Sequence, residues 1–355
     1  MSQTEKWDLY VQLASAIADP AIQSRVGFGT FRKFPRLFEK SLGLVAGSGL
    51  LAPSGTGAPW PWAMDPEFFH FAMRHGQYNH SHFLRHLKSP EVYAPACIWA
   101  LFWALAKAEH RFSNKYLPFW SHEERLTGHF ISQICERIEE FNVHWSSLIG
   151  TAGERSWLDV WYADTSAGNR EKETGADLGL ILHGQYASDD EFYKVARFQV
   201  KKVPSNNSAR IDLSQTKALL RQDYVGHYLF FHAQDSQEWR RPPSVAPASE
   251  FQYRLEQAEK KLIEQKKEPK NLGDESIENV DGSSFDFATF ITFGIADPAA
   301  DFGAFARSKA SAVRVLMSGG PPSRLAVISL GEQIQPSEWL HEMEEYVRFP
   351  RGENS

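Results

Sequence analysis

Residues 174–203 read TGADLGLILHGQYASDDEFYKVARFQVKKV. The stretch holds two apolar runs bounded by turn signals, Ala176–Leu182 and Tyr193–Val203, each of a length that suits a strand. Side chains two apart in a strand share a face, so Gln199 and Lys201 point together while Phe198 and Val200 point to the opposite, buried side. If the two strands pair, Asp177 lies opposite them. A carboxylate, an amide oxygen and an ammonium then converge on one patch.

Such a patch suits phosphodiester hydrolysis. Asp177 can bind a hard divalent cation, Mg2+ or Mn2+, that prefers oxygen ligands, and the backbone carbonyl of Val200 can add another oxygen. The metal polarises the phosphate and lowers the pKa of a bound water, while Lys201 orients that water or neutralises developing charge. Gln199 supplies its amide oxygen to the same group. A helix carboxylate completes the set. His122–Phe141 reads as a long amphipathic helix with Leu126, Phe130, Ile131, Ile134, Ile138 and Phe141 on its buried side. Glu124 is the preferred metal ligand there, because Thr127, Ile131, Ile134 and Ile138 follow it along one inward face; Glu123 competes with it.

Further apolar runs at Trp157–Ala163 and Tyr228–His232, and a helix over Leu213–Gln222, give the order helix, three strands, helix, strand. This is a mixed α/β plan. Phe285–Ile295 and Phe302–Leu316 are ordered and apolar, Arg324–Leu330 is a β run, and Ser337–Val347 is a terminal helix. Residues 1–115 read as a helical, aromatic N-terminal region, with helices over 66–87 and 93–108 and a loop over 46–62. Residues 116–335 form the main domain, and 336–355 a C-terminal helix and tail. Within the main domain, 242–282 is expected to be an exposed insertion, since Glu and Lys alternate through Leu255–Pro269.

Of the 355 residues, 42% are hydrophobic and 13% aromatic, enough for a sizeable core and against global disorder. No run of about 18 apolar residues is present, so no bilayer span and no membrane partner is expected. The first residues lack the apolar core of a secretory signal. Cys97 and Cys135 are too few for a disulfide scaffold or a zinc knuckle, and a soluble cytoplasmic protein with free thiols is expected. The net charge of −6 excludes a protein that coats nucleic acid with its whole surface, but a local basic site remains open. Lys194–Gln222 carries seven basic residues and one acid, Asp212. Lys202, Arg210, Gln215, Lys217 and Arg221 are the expected nucleic-acid contacts there.

Each feature also has a bland reading: Asp177 as a turn residue, Lys201 and Lys202 as charges protecting a strand edge, Glu124 complementing a helix dipole, and the basic segment as a solvated face. The histidines His70, His75, His80, His82 and His86 crowd one region, and His82 and His86 have spacing that could bind Zn2+. Without a neighbouring Cys or a metalloprotease motif they read as ordinary surface or core residues. Gly55–Pro59 lacks the Lys-Ser/Thr of a phosphate-binding loop.

Glu124, Asp177 and Gln199-Val200-Lys201, in this order and on these elements, resemble the PD-(D/E)XK nuclease superfamily, in the variant with Gln-x-Lys. The resemblance covers about Ser121–His232, extends to the helix with Gln215 and Lys217, and does not reach residues 1–115. It implies a restriction-endonuclease-like mixed sheet flanked by helices, and Mg2+- or Mn2+-dependent cleavage of nucleic acid, DNA before RNA. The family's Gln-x-Lys members further suggest a role in defence against phage or plasmids. Gln199 stands where Glu is commoner, and this keeps a non-cutting subunit that binds nucleic acid or a partner protein as the alternative. The N-terminal region could serve a protein partner or a second copy of the chain, and a helical scaffold whose function lies there is a third reading.

Overall fold

The computed structural model describes residues 35–48, 50, 93, 96–119, 121–149, 157–165, 175–185, 191–221, 224–233, 241–265 and 272–347. In chain order these form α1 (Pro35–Gly47), α2 (Ala96–Lys115), α3 (Glu123–Ile149), β1 (Leu158–Asp164), β2 (Leu178–Gly184), β3 (Phe192–Val203), β4 (Ser208–Asp212), α4 (Leu213–Leu219), β5 (Gly226–His232) and β6 (Ser244–Pro247). Then follow α5 (Gln252–Glu264), β7 (Asp274–Glu278), β8 (Phe285–Asp286), α6 (Phe287–Thr289, running on as a π-helix to Ile295), β9 (Ala304–Ala306), α7 (Lys309–Met317), β10 (Arg324–Leu330) and α8 (Pro336–Met343). The expected helix at 66–87 and the five clustered histidines lie outside the described residues.

Among the described residues the main sheet runs β1-β10-β2-β3-β5-β6-β8, and β4 and β7 make a separate pair. The pairs β10–β2 and β3–β5 are parallel, while β1–β10, β2–β3, β5–β6 and β6–β8 are antiparallel. Strand β9 shares an edge of β3 with β5: it pairs Tyr193–Val195, and β5 pairs Arg197–Val203. Helices cover both faces, so the mixed α/β plan holds.

The alternation of side chains sorts the core by parity. Leu178, Leu180 and Leu182 of β2, with Ala196, Phe198 and Val200 of β3, face α2, α3 and α6 in one apolar cluster. Ile181, Tyr193 and Val195 face α7 and α8 with Leu316, Trp339 and Met343. All six expected inward positions of α3 are buried. Burial on both faces explains why β2 reads as continuous apolar sequence rather than an alternating one.

Local sequence sets several element starts. Asp212 accepts hydrogen bonds from the Ser214 and Gln215 amides and caps α4, and Ser308 accepts one from Ser311 N at the head of α7. Gly226 opens β5 where it touches α4. A Cβ there would sit 2.4 Å from the Leu219 carbonyl oxygen.

Two boundaries differ from expectation. Helix α2 shares one core with α3 and the sheet, so no core boundary falls at residue 115. The segment 242–282 is not a simple exposed insertion. Strand β6 pairs β5, β7 pairs β4, and Ala246, Ala248, Phe251, Ile277 and Val280 are buried against Tyr228 and Phe230. Only α5 follows the expectation, with Leu255 buried and most of its Glu and Lys side chains exposed. The charged composition of one helix had masked the apolar positions on either side of it.

Gly226→Ala should destabilise the fold by about 1–3 kcal/mol through overpacking against Leu219, measured as a lower denaturant midpoint with an unchanged slope. Burial holds His227 down to about 4 and drives His232 below its ordinary value as well. The unfolded chain therefore takes up more protons than the folded one between pH 6.5 and 4. Stability should be complete above pH 6.5 and fall as the pH drops through that window, His227 alone contributing about 3 kcal/mol. A flat stability profile across it, by urea unfolding, would contradict this.

Candidate active site

Asp177 stands immediately before β2 and is held from both neighbouring strands. Its N–H donates to Phe198 O on β3 at 2.9 Å, and its carbonyl accepts from Arg324 N on β10 at 3.1 Å. Gly175, at φ +65°, turns the chain into this position against α4, where Gln215 O and Ala218 leave no room for a side chain. The carboxylate is only 4% exposed. Its Oδ2 accepts from Gln199 Nε2 at 2.6 Å and from Val200 N at 2.6 Å. The anticipated meeting of Asp177 with Gln199 is thus present.

Gln199 is 2% exposed, and its Oε1 is buried without a hydrogen-bond partner among the described residues. An orphaned amide oxygen costs about 1–3 kcal/mol. The amide's Nε2 faces Asp177 and the Val200 carbonyl, so a cation between those oxygens would turn the amide over and bring Oε1 to it. The donor set here consists of oxygens, which is what Mg2+ or Mn2+ takes. Val200 presents its N–H to Asp177. In an antiparallel ladder the carbonyl of the same residue faces the same edge, and Gln199 Nε2 lies 3.5 Å from it.

Lys201 points to the same face as Gln199 and donates from Nζ to Gln215 Oε1 at 2.8 Å. Gln215, expected as a nucleic-acid contact, is therefore what positions Lys201. Sequence reading missed that role, although the Asp212 cap that fixes Gln215 in the first turn of α4 was visible. Lys202 points the other way, and its Nζ donates to Ser121 O at 3.0 Å.

Of the two acids at the head of α3, Glu123 and not the preferred Glu124 reaches the strand edge. Glu123 Oε1 accepts from Lys202 N at 2.9 Å, while Glu124 is exposed. The inward stripe of α3 was correctly placed, but the first residue of a helix is set by how the chain enters it. That entry turns Glu123 to the strand edge.

The local basic excess disperses in three dimensions. Lys194 is buried and donates to Ala300 O and Phe302 O, at 2.6 and 3.2 Å, and burial lowers its pKa. Arg197 is buried and caps the C-terminus of α7 through the Leu316 and Ser318 carbonyls; burial brings it to about 10. Arg210 pairs with Asp274 at 2.6 Å and Lys217 with Glu259 at 2.8 Å, both at the surface. Lys201 is held by Gln215 Oε1 and Lys202 by Ser121 O, while Arg221 is exposed. No helix among the described residues is long and apolar enough to cross a membrane.

Replacing Glu123 by Ala removes the acceptor of a part-buried strand N–H and should cost about 1–2 kcal/mol. Glu124→Ala should stay within about 0.5 kcal/mol of the parent. Urea unfolding of the two variants reads the difference, and equal effects would mean that Glu123 holds no strand edge.

Comparison of the chain with protein-family models, with curated proteins and with solved structures finds no match.

Proposed function

We propose that this chain is a metal-dependent phosphodiesterase that cleaves nucleic acid, DNA before RNA, with a restriction-endonuclease-like core. The observation that carries the reading is the buried pair at the head of β2. A carboxylate and an amide with an orphaned oxygen lie together, with a lysine two residues on along the same face. The order α3, β1, β2, β3, α4, β5 supports it.

Asp177, Gln199 Oε1 and the Val200 carbonyl are the groups that would hold Mg2+ or Mn2+, with Glu123 reaching the same strand edge two residues along. Once bound, such a cation polarises a phosphate oxygen and acidifies a water. The chain's own part is to hold Lys201 by Gln215 where it meets developing negative charge, and to offer the exposed Arg221 to the backbone of the substrate. A role in defence against phage or plasmids follows from the resemblance to Gln-x-Lys nucleases alone.

One observation favours a second reading, a nuclease-like subunit that binds without cutting. Asp177 Oδ2 already accepts two hydrogen bonds at 2.6 Å, and Arg210 and Lys217 are already paired with acids. A metal titration of cleavage separates the two. The wild type should cut in Mg2+ or Mn2+ and not in EDTA, and Asp177→Asn should lose cleavage while keeping the fold. Gln199→Glu should lower the metal requirement, because it adds a negative charge beside the cation. Lys201→Ala should lose most cleavage but only part of the binding. Binding with no cleavage of any DNA or RNA tried, at any metal concentration, would establish the second reading.

A further inference from the structure

Six residues along β2 from Asp177, about 20 Å away at roughly 3.3 Å per residue, a second group of side chains meets at the opposite end of the sheet. His183 is 3% exposed. Its ring stacks on Tyr193, its cross-strand partner, with centroids 4.8 Å apart. Its Nδ1 lies 3.0 Å from Ser329 Oγ on β10 and 3.6 Å from Glu332 Oε1. Its Nε2 lies 2.9 Å from Glu191 Oε1 but makes no hydrogen bond. One ligand atom from each of His183, Glu191 and Glu332 falls within 4.8 Å of the others.

A cation between the buried Nε2 and the Glu191 carboxylate oxygen would satisfy both, provided the ring proton sits on the other nitrogen. If Nδ1–H donates to Ser329 Oγ, Nε2 turns a lone pair toward that oxygen, and two acceptors oppose each other. The Ser329 contact is the outer hydrogen bond that orients a metal-bound imidazole. Tyr193 OH donates to Glu191 Oε1 and steadies the carboxylate in turn.

We propose that His183, Glu191 and Glu332 form a binding site for a divalent transition ion of the zinc class, separate from the site at Asp177. The nitrogen ligand argues against Mg2+ and Ca2+, which prefer all-oxygen sets. Zinc takes nitrogen and carboxylate ligands at about 2.0–2.2 Å. Both glutamates are partly exposed; Glu191 already faces Nε2, and Glu332, which lies nearer Nδ1, would turn toward the ion. Three protein ligands leave a fourth position to water. The ligands come from β2, from the residue preceding β3 and from just beyond β10, so the ion would tie three adjacent strands together at one end.

The test uses the full chain with Asp177→Asn, which removes the anionic ligand of the first site. After stripping with EDTA and dialysis, ZnCl2 and MgCl2 are titrated separately by calorimetry, with thermal unfolding in parallel. Zinc should saturate at one equivalent per chain and raise the melting temperature; magnesium should do neither. Glu191→Gln and Glu332→Gln, surface changes that keep the side-chain shape, should each weaken zinc binding at least about tenfold. His183→Gln should abolish it. The chain has 13 histidines, and those other than His183 could bind zinc elsewhere, so the glutamate variants decide. Absence of saturable zinc binding near one equivalent, or zinc binding unchanged in both glutamate variants, would overturn the site.

Discussion

Strand β3 is longer than the strand it pairs with. Its register with β2 begins at Leu178 opposite Phe198, yet β3 continues to Val203. Beyond that point the N–H groups of Val200 and Lys202 face an edge that β2 has already left. Buried backbone donors are almost always paired, and here two carboxylates take the place of the missing strand: Asp177 at Val200 and Glu123 at Lys202. The candidate active site follows from this mismatch of lengths. It brings two acids from separate elements to one edge, at positions two residues apart, and it fixes them by an obligation that is structural before it is chemical.

The same constraint explains how much could be read beforehand. The strands over 157–163, 193–203 and 324–330 were legible because each is a short apolar run between turn signals, and the meeting of Asp177 with Gln199 followed from the side-chain period of two. The inner face of α3 was legible for the same kind of reason. The acid at the helix start was not, because Glu123 and Glu124 differ only in how the chain enters the helix, and a backbone N–H of β3 settles it. Nor was the dispersal of the basic segment. Lys194 and Arg197 look like surface charges in sequence, yet their long side chains bury themselves against carbonyls that lie more than a hundred residues away.

His183, Glu191 and Glu332 carry no linear motif either. They meet because β10, β2 and β3 are neighbours in the sheet, and that adjacency joins segments far apart in sequence. Composition misled in the opposite direction at 242–282. There a helix rich in Glu and Lys conceals two strands whose pairing with β4 and β5 belongs to the core.

The place of β10 has a consequence for how the protein comes into being. It lies between β1 and β2, pairing Leu330 with Leu158 on one side and with Gly184 on the other. During synthesis β1 (Leu158–Asp164) leaves the ribosome well before its partner β10, which begins only at Arg324. The central sheet closes only when one of the last segments inserts between two of the first. Such non-local closure carries a large loop entropy before any contact repays it, so folding should be slow. Until then β1 and β2 present unpaired edges of the kind that associate wrongly. Loss of the final strand would accordingly deprive the sheet of its middle rather than its rim.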